Sequence, residues 1–512
     1  MARLTHALRS SLVLSLLIGC VAPDDIHAPD EPNPELSEAD PDGSPDDVPD
    51  YLALAPDPSE AVAHGWCYGN YTWNSTSARI YHPAGSSGCS SSIYSPLVVI
   101  LKGNGFSHTN YHYLGRHLAK NGYIVVSVDV VSASNAAADH QIAADKAWAF
   151  VHDYVWTVWS KRFFIDPSRV ALIGHSRGGE TVRYLADDLK TDPVFQVKSV
   201  IALAPTRTTP IDLDAQSTLS AMVLVGTDDG DTRAESAYAA HDTAGSDASQ
   251  QDPNINPSAL YRSMKLLENV VHGSFAGEYV ESATIRGYVL AFLHAHLKND
   301  VTYYEDYIRG DAVPAAWPHP VTTQYSDGFL RRVIDNFDDG ALANSTIGDF
   351  VSVAIGNTST VENLGTSTES PHETYALRFD PPSSGAGFIW SIPAGKRDAT
   401  LFKYLSLRVG QAEGVPTDDL RVRINNGGVT SPWVRITDHG PLAQPTTMCT
   451  TSGAGTCQAS AQQAHMGTIR IPLSELGAHD DIRWIELGAA NEAVRGEYLI
   501  DNLEFSEFVL KP

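Results

Sequence analysis

Basic residues are scarce in this chain: 35 lysines and arginines stand against 61 aspartates and glutamates, a net charge of −26. Without a basic cluster the chain has no cationic surface for nucleic acid or for an anionic membrane, and both are excluded as electrostatic partners. Cysteine is rarer still, with five in 512 residues. None stands in C-x-x-C spacing and no histidine cluster accompanies them, so no metal site and no cofactor are expected. No internal repeat is visible. The apolar run at Leu12–Ile18 is too short to span a bilayer. What remains, 43 % hydrophobic and 19 % charged, has the balance of folded globular protein. Its length suits two domains plus tails.

The short apolar run follows Arg3, His6 and Arg9, the pattern of a secretory signal peptide. It ends in Leu17-Ile18-Gly19-Cys20, which resembles the bacterial lipobox. The resemblance implies cleavage before Cys20 and a lipid on its thiol, with residues 1–20 as signal peptide and an extracytoplasmic mature protein. Residues 21–60 hold 13 acidic residues, 9 prolines and no lysine or arginine. Such a stretch cannot bury apolar surface and is expected to be a disordered acidic tether. It carries about half of the net charge excess. Setting Cys20 aside leaves two near pairs, Cys67/Cys89 and Cys449/Cys457. In an oxidising compartment each is expected to close a local disulfide.

From Trp66 onward the pattern is globular. Val/Ile/Leu-rich segments at 96–101, 123–131, 169–174, 197–204, 221–225 and 264–271 read as buried strands. Stretches near 111–120, 141–161, 179–189 and 282–297 have the texture of helices and fall between or after them. That alternation predicts a doubly wound, mostly parallel sheet covered on both faces, the α/β class, over 61–315. Beyond Trp317 helical periodicity disappears, and short alternating segments such as 404–409, 420–424 and 481–487 predict an all-β sandwich over 325–512. Its ends, Val333-Ile-Asp-Asn-Phe337 and Tyr498-Leu-Ile-Asp-Asn-Leu-Glu-Phe505, resemble the first and last strands of galactose-binding-like jelly rolls, the fold of many carbohydrate-binding modules. Trp390, Trp433, Trp484 and Tyr404 are the aromatics of that half considered for stacking on sugars. Asp335 and Asp501, repeated in the two Ile-Asp-Asn motifs, are residue types that flank structural calcium.

The chemistry centres on Gly174-His175-Ser176-Arg177-Gly178, a G-x-S-x-G pentapeptide between a strand and a helix. A turn this tight leaves no room for flanking side chains and pushes the serine hydroxyl above the sheet edge. The order of elements around it resembles the α/β-hydrolase fold over about residues 66–311. In that family Ser, acid and His follow in chain order, each after a strand. Thr227-Asp228-Asp229-Gly230-Asp231-Thr232 supplies the acid: Asp229 has the common spacing, Asp231 is the alternative on the spacing of cutinase-like enzymes, and Asp228 is third. His272, behind the last strand, is the expected base. The oxyanion hole is expected from the backbone N–H of Arg177 and, by similarity to cutinase-like enzymes, that of Phe106 in Lys102-Gly-Asn-Gly-Phe106. Lys102 stands there where the family usually has histidine. The elbow, Gly174–Gly179, also resembles those of chlorophyllase and of acetylhydrolase-like esterases.

Together these readings predict a secreted, lipid-anchored serine esterase that meets the membrane only through Cys20 and acts on an ester, with a polysaccharide or polyester as the expected polymeric form. A lipase or peptidase of the same fold, and a non-catalytic polysaccharide-binding lipoprotein, are the alternatives. The sequence leaves the oligomeric state open.

Overall fold

The structure is a computed structural model. It describes residues 54–507 apart from 207–218, 243–260, 380–386, 413–419, 490–496 and shorter gaps at 327–329, 338, 343–344, 349–350, 354–358, 368, 373 and 454–455. The expected signal peptide, the expected lipidation site Cys20 and the expected tether up to residue 53 lie outside the described residues.

One nine-stranded sheet organises the first half. Its strands are β1 (Trp66–Trp73), β2 (Thr76–Pro83), β3 (Ser95–Leu101), β4 (Ile124–Val128), β5 (Ile165–His175), β6 (Val197–Leu203), β7 (Ser220–Gly226), β8 (Tyr261–Leu267) and β9 (Val321–Ser326). They lie in the order 1-2-4-3-5-6-7-8-9. The sheet is mixed: β3 through β8 run parallel, while β1, β2 and β9 enter antiparallel. Alternation along β3 sends Val98 and Ile100 to one face and Leu97, Val99 and Leu101 to the other. The first face is covered by α1 (His112–Lys120) and α5 (Ser282–Lys298), the second by α2 (Ala137–Ala149) and α3 (Arg177–Leu189). Burial on both faces explains why the central strands read as unbroken apolar runs.

Two boundaries differ from the sequence expectation. The end of the expected tether, 54–60, is docked: Ala55 N–H donates to Asp306 at 2.7 Å, Arg286 donates to the Ser59 carbonyl, and Ser59 is buried. Proline and aspartate here serve as turn formers against α5 rather than as solvated spacer. At the other limit β9 pairs with β8, so the sheet runs past residue 315 and reaches Ser326. Its polar alternation, Val-Thr-Thr-Gln-Tyr-Ser, reads like a sandwich strand because it is an edge strand of a mixed sheet.

Both cysteine pairs sit at disulfide distance, with Cα separations of 5.6 Å. Neither bridge is a staple through a core. Cys67 is buried on the edge strand β1, whereas Cys89 is exposed. The reason is local: Cys89 lies in a serine- and glycine-rich turn after β2 that bonds mainly to itself, Gly85 and Gly88 exchanging backbone bonds at 3.2 and 3.0 Å. The Cys67–Cys89 bridge therefore ties a surface turn to the sheet edge and adds no buried side chain at Cys89. Cys457 is exposed in the same way, opposite buried Cys449.

The C-terminal half is β-rich. Two six-stranded sheets, all antiparallel, share one core in which Leu405, Leu407 and Ile500 of one sheet meet Trp390, Val422 and Ile485 of the other. The strands Leu330–Asp335 and Tyr498–Glu507, at the two ends of this half, pair with each other. Trp390 is fully buried and its indole N–H donates to Asp335 at 2.9 Å, which removes it from the sugar-stacking candidates. Trp433 and Trp484 stay half-buried around the Arg423 guanidinium, and Tyr404 lies beside Arg309 and Arg470. Asp335 and Asp501 do not form a calcium pair, since the latter is tied to Arg408 at 3.1 Å. Among the described residues no cluster with metal-ligand character is present, and no helix is long and apolar enough to cross a membrane.

The two halves are welded rather than strung together. Tyr325 of β9 exchanges hydrogen bonds with the Thr468 hydroxyl at 3.0 and 3.2 Å. Asp242, at the end of helix α4 (Arg233–Asp242), meets Arg408 at 3.0 Å and His372 at 3.2 Å in a buried network. Burial alone would raise the Asp242 carboxyl, but Arg408 and His372 outweigh it and hold it well below the usual range.

Candidate active site

Ser176 sits between β5 and α3 with φ 56° and ψ −126°, a backbone conformation that a non-glycine residue adopts only under constraint. The constraint is visible. A Cβ on Gly174 would lie 2.0 Å from the Gly178 carbonyl, and one on Gly178 would lie 2.5 Å from the Lys102 carbonyl. Only glycine allows these chain segments to close around the serine. The Ser176 N–H donates to Leu203 of β6 at 2.9 Å, and its carbonyl accepts the Gly179 N–H at 2.8 Å.

His272 opens a short helical turn five residues beyond the end of β8. Its Nδ1 lies 2.9 Å from Asp229 Oδ2. Asp229 is wholly buried, and its other contacts come from its own turn: the N–H groups of Asp231 and Thr232, each at 2.9 Å, and the Thr232 hydroxyl at 3.0 Å. Burial pushes the Asp229 carboxyl up, and the hydrogen bond and charge of His272 together with these donors pull it further down, so the net displacement is downward. The three aspartates of the turn therefore separate. Asp231 is exposed and approaches the other imidazole nitrogen, Nε2, at 3.4 Å. Asp228 is exposed, and its N–H donates to the Val270 carbonyl.

The loop after β3 presses against the elbow. The Phe106 ring lies 5.1 Å from the His175 ring, and Lys102 donates to the Phe106 carbonyl at 2.9 Å while pairing with Asp129 at 3.1 Å. The Phe106 N–H, an expected oxyanion donor, is engaged with the Gly103 carbonyl in a long bond of 3.3 Å. The Arg177 N–H is the first of α3 and has no intrahelical acceptor. The Arg177 side chain turns away to the carbonyls of Ser132 and Ala133.

Two residues at the centre of this arrangement were not singled out from the sequence. The Gly103 N–H donates to the Tyr111 hydroxyl at 2.8 Å, which reaches His175 Nδ1 at 2.9 Å, and His175 Nε2 meets the His272 carbonyl at 3.2 Å. A carbonyl only accepts, so Nε2 carries the proton and Tyr111 donates to Nδ1. Complete burial, then the neighbouring His272, holds the His175 imidazole well below its ordinary value and therefore neutral. His175 thus links the loop after β3 to the loop of His272. The signal was available as a histidine inside the pentapeptide, but a variable motif position carries no role by itself.

The family model described as Chlorophyllase matches residues 89–218. The matched stretch includes the loop after β3 and the elbow, and stops before the acid turn and His272. No curated protein matches the chain. Over the matched residues the chain is similar to an ester-hydrolase family, which points to a carboxylesterase-like hydrolase.

Proposed function

We propose that the protein is a serine esterase in which Ser176 is the nucleophile, His272 the general base and acid, and Asp229 the carboxylate that orients the imidazole. The observation that carries the reading is the 2.9 Å contact between buried Asp229 and His272 Nδ1, made beside His175, the residue before the serine on the constrained elbow. With Nδ1 held as donor to Asp229, Nε2 is left as the acceptor. It swings from Asp231 to the Ser176 hydroxyl, takes its proton as Oγ attacks the ester carbonyl, and returns that proton to the departing alkoxide. Water then repeats the sequence on the acyl-enzyme.

The tetrahedral oxyanion is received by the Arg177 N–H at the positive end of α3 and by the Phe106 N–H, whose long bond to Gly103 is the one exchanged. Each such donor contributes about 3–4 kcal/mol to lowering the barrier. The substrate is an ester, polymeric in the reading that joins the hydrolase half to the C-terminal sandwich. The mature protein is extracytoplasmic and anchored through Cys20. Replacing Ser176 with Ala should abolish p-nitrophenyl acetate hydrolysis and labelling by a fluorophosphonate probe. Retained hydrolysis in that variant would refute the mechanism. Replacing Cys20 with Ser should release the protein from the membrane fraction, and unchanged fractionation would remove the anchor.

A further inference from the structure

The acid turn, 226–232, is held from two sides, and the second side belongs to the other half of the chain. On the inner side lies the loop of His272. The Thr227 N–H donates to Leu267, the Asp228 N–H to Val270, and the Asn269 N–H to the Thr227 hydroxyl at 3.0 Å. On the outer side lies a hairpin of the C-terminal half, Thr446–Gly453 paired with Thr456–Gln463 and closed by Cys449–Cys457. The Cys449 N–H donates to the Thr227 carbonyl at 2.9 Å, and Arg233 donates to the Thr450 carbonyl at 3.0 Å. Met448 is buried in the apolar cluster of Val225, Ala234 and Ala237 beneath α4. A Cβ on Gly230 would lie 2.1 Å from both the Cys457 nitrogen and the Thr456 carbonyl carbon, backbone atoms that cannot yield.

We propose that this disulfide-closed hairpin is a positioning element of the active site, fixing the turn that aims Asp229 at His272. The inference rests on the esterase reading above. Its physical basis is that two N–H donors of Asp229 belong to the turn itself, so the turn's backbone sets the carboxylate, and the carboxylate sets the imidazole. Misplacing such a group by about 1 Å costs on the order of a hundredfold in rate. The C-terminal half then completes the active site, beyond any role in holding a polymer.

The test uses the full-length protein, with active sites counted by fluorophosphonate labelling and turnover measured on a short soluble ester. Gly230→Ala is informative because glycine here is required by space and not by a left-handed backbone. It should lower kcat per labelled site about tenfold or more with KM within about twofold. The double variant Cys449→Ala/Cys457→Ala should act in the same direction. Loss of the other disulfide, Cys67→Ala/Cys89→Ala, should lower the melting midpoint while leaving kcat per labelled site unchanged. A merely structural hairpin would reduce the number of labelled sites and not their turnover. Wild-type labelling at Ser176 together with wild-type kcat in both hairpin variants overturns this inference alone. Absence of wild-type labelling overturns the esterase reading and the inference with it.

Discussion

The two halves of the molecule differ in where they keep their irregular backbone. In the hydrolase sheet β5, β6 and β8 are each followed within two residues by a non-glycine residue with positive φ, Ser176, Ala204 and Asn269, and another, Arg233, opens α4 after β7. In the C-terminal half Phe337 and Asn502 are the non-glycine residues of this kind among those described. Neither stands in a comparable series. Strained residues cost of order 1–3 kcal/mol each and persist only where their surroundings over-determine them. Their collection at the carboxyl ends of parallel strands is the place where open α/β sheets bind ligands. The sandwich, by contrast, keeps its unusual groups inside, as buried ion pairs such as Arg331–Glu504 at 3.1 Å.

That contrast is broken or sharpened by variants in each half. Asp229→Asn should lower kcat by about 10³–10⁴-fold, the scale known for a misdirected triad imidazole. Asp231→Asn, at the exposed neighbour, should stay within about threefold. Steady-state kinetics decides between them, and the reverse ranking would move the acid to Asp231. In the sandwich, Trp390→Ala should cost about 3–5 kcal/mol in denaturant unfolding through the cavity it leaves. Turnover per labelled site should hold, and a fall would mean that the sandwich core reaches the site. His175→Ala should lower kcat about 10- to 100-fold by loosening the loops it joins, and unchanged kcat would reduce it to packing.

The effects of pH on stability have opposite signs in the two halves. Burial raises the Asp335 carboxyl to about 7, against an ordinary value of 3.8. The folded protein therefore binds the extra proton, and this contribution to stability is lost as pH rises from about 4 through 7. Burial lowers Lys265 of β8 from 10.5 to about 7, so there the unfolded chain holds the extra proton and stability rises with pH between 7 and 10.5. Asp335→Asn should flatten the melting profile in the lower window and Lys265→Met in the upper one. Unchanged slopes in either variant would remove that residue as the source.

What was legible in the sequence is what strands and turns encode locally. Ser176, the Asp228–Asp231 turn and His272 each follow an apolar strand, and the structure brings Ser176, Asp229 and His272 to one end of the sheet. Which of Asp229 and Asp231 the turn buries against His272 was not legible, because spacing does not say which carboxylate points inward. The exposure of Cys89 was hidden for a similar reason, since spacing pairs two cysteines without saying which of them faces solvent. Trp390 looked like its surface counterparts, since alternation does not say which face of a sandwich strand turns inward. The edge strand β9 was hidden by its polar composition. The packing of Gly230 on Thr456 and Cys457 left no trace except a glycine in a turn, where glycine is ordinary.

That last contact also sets an order of events during synthesis. Arg233 and Thr450 are 217 residues apart. At about 5–20 residues per second, the acid turn waits roughly 10–40 s after its own synthesis for its outer layer to arrive. A chain stalled or cut before the hairpin carries Ser176, Asp229 and His272 in full, yet lacks the wall against which the turn is pressed.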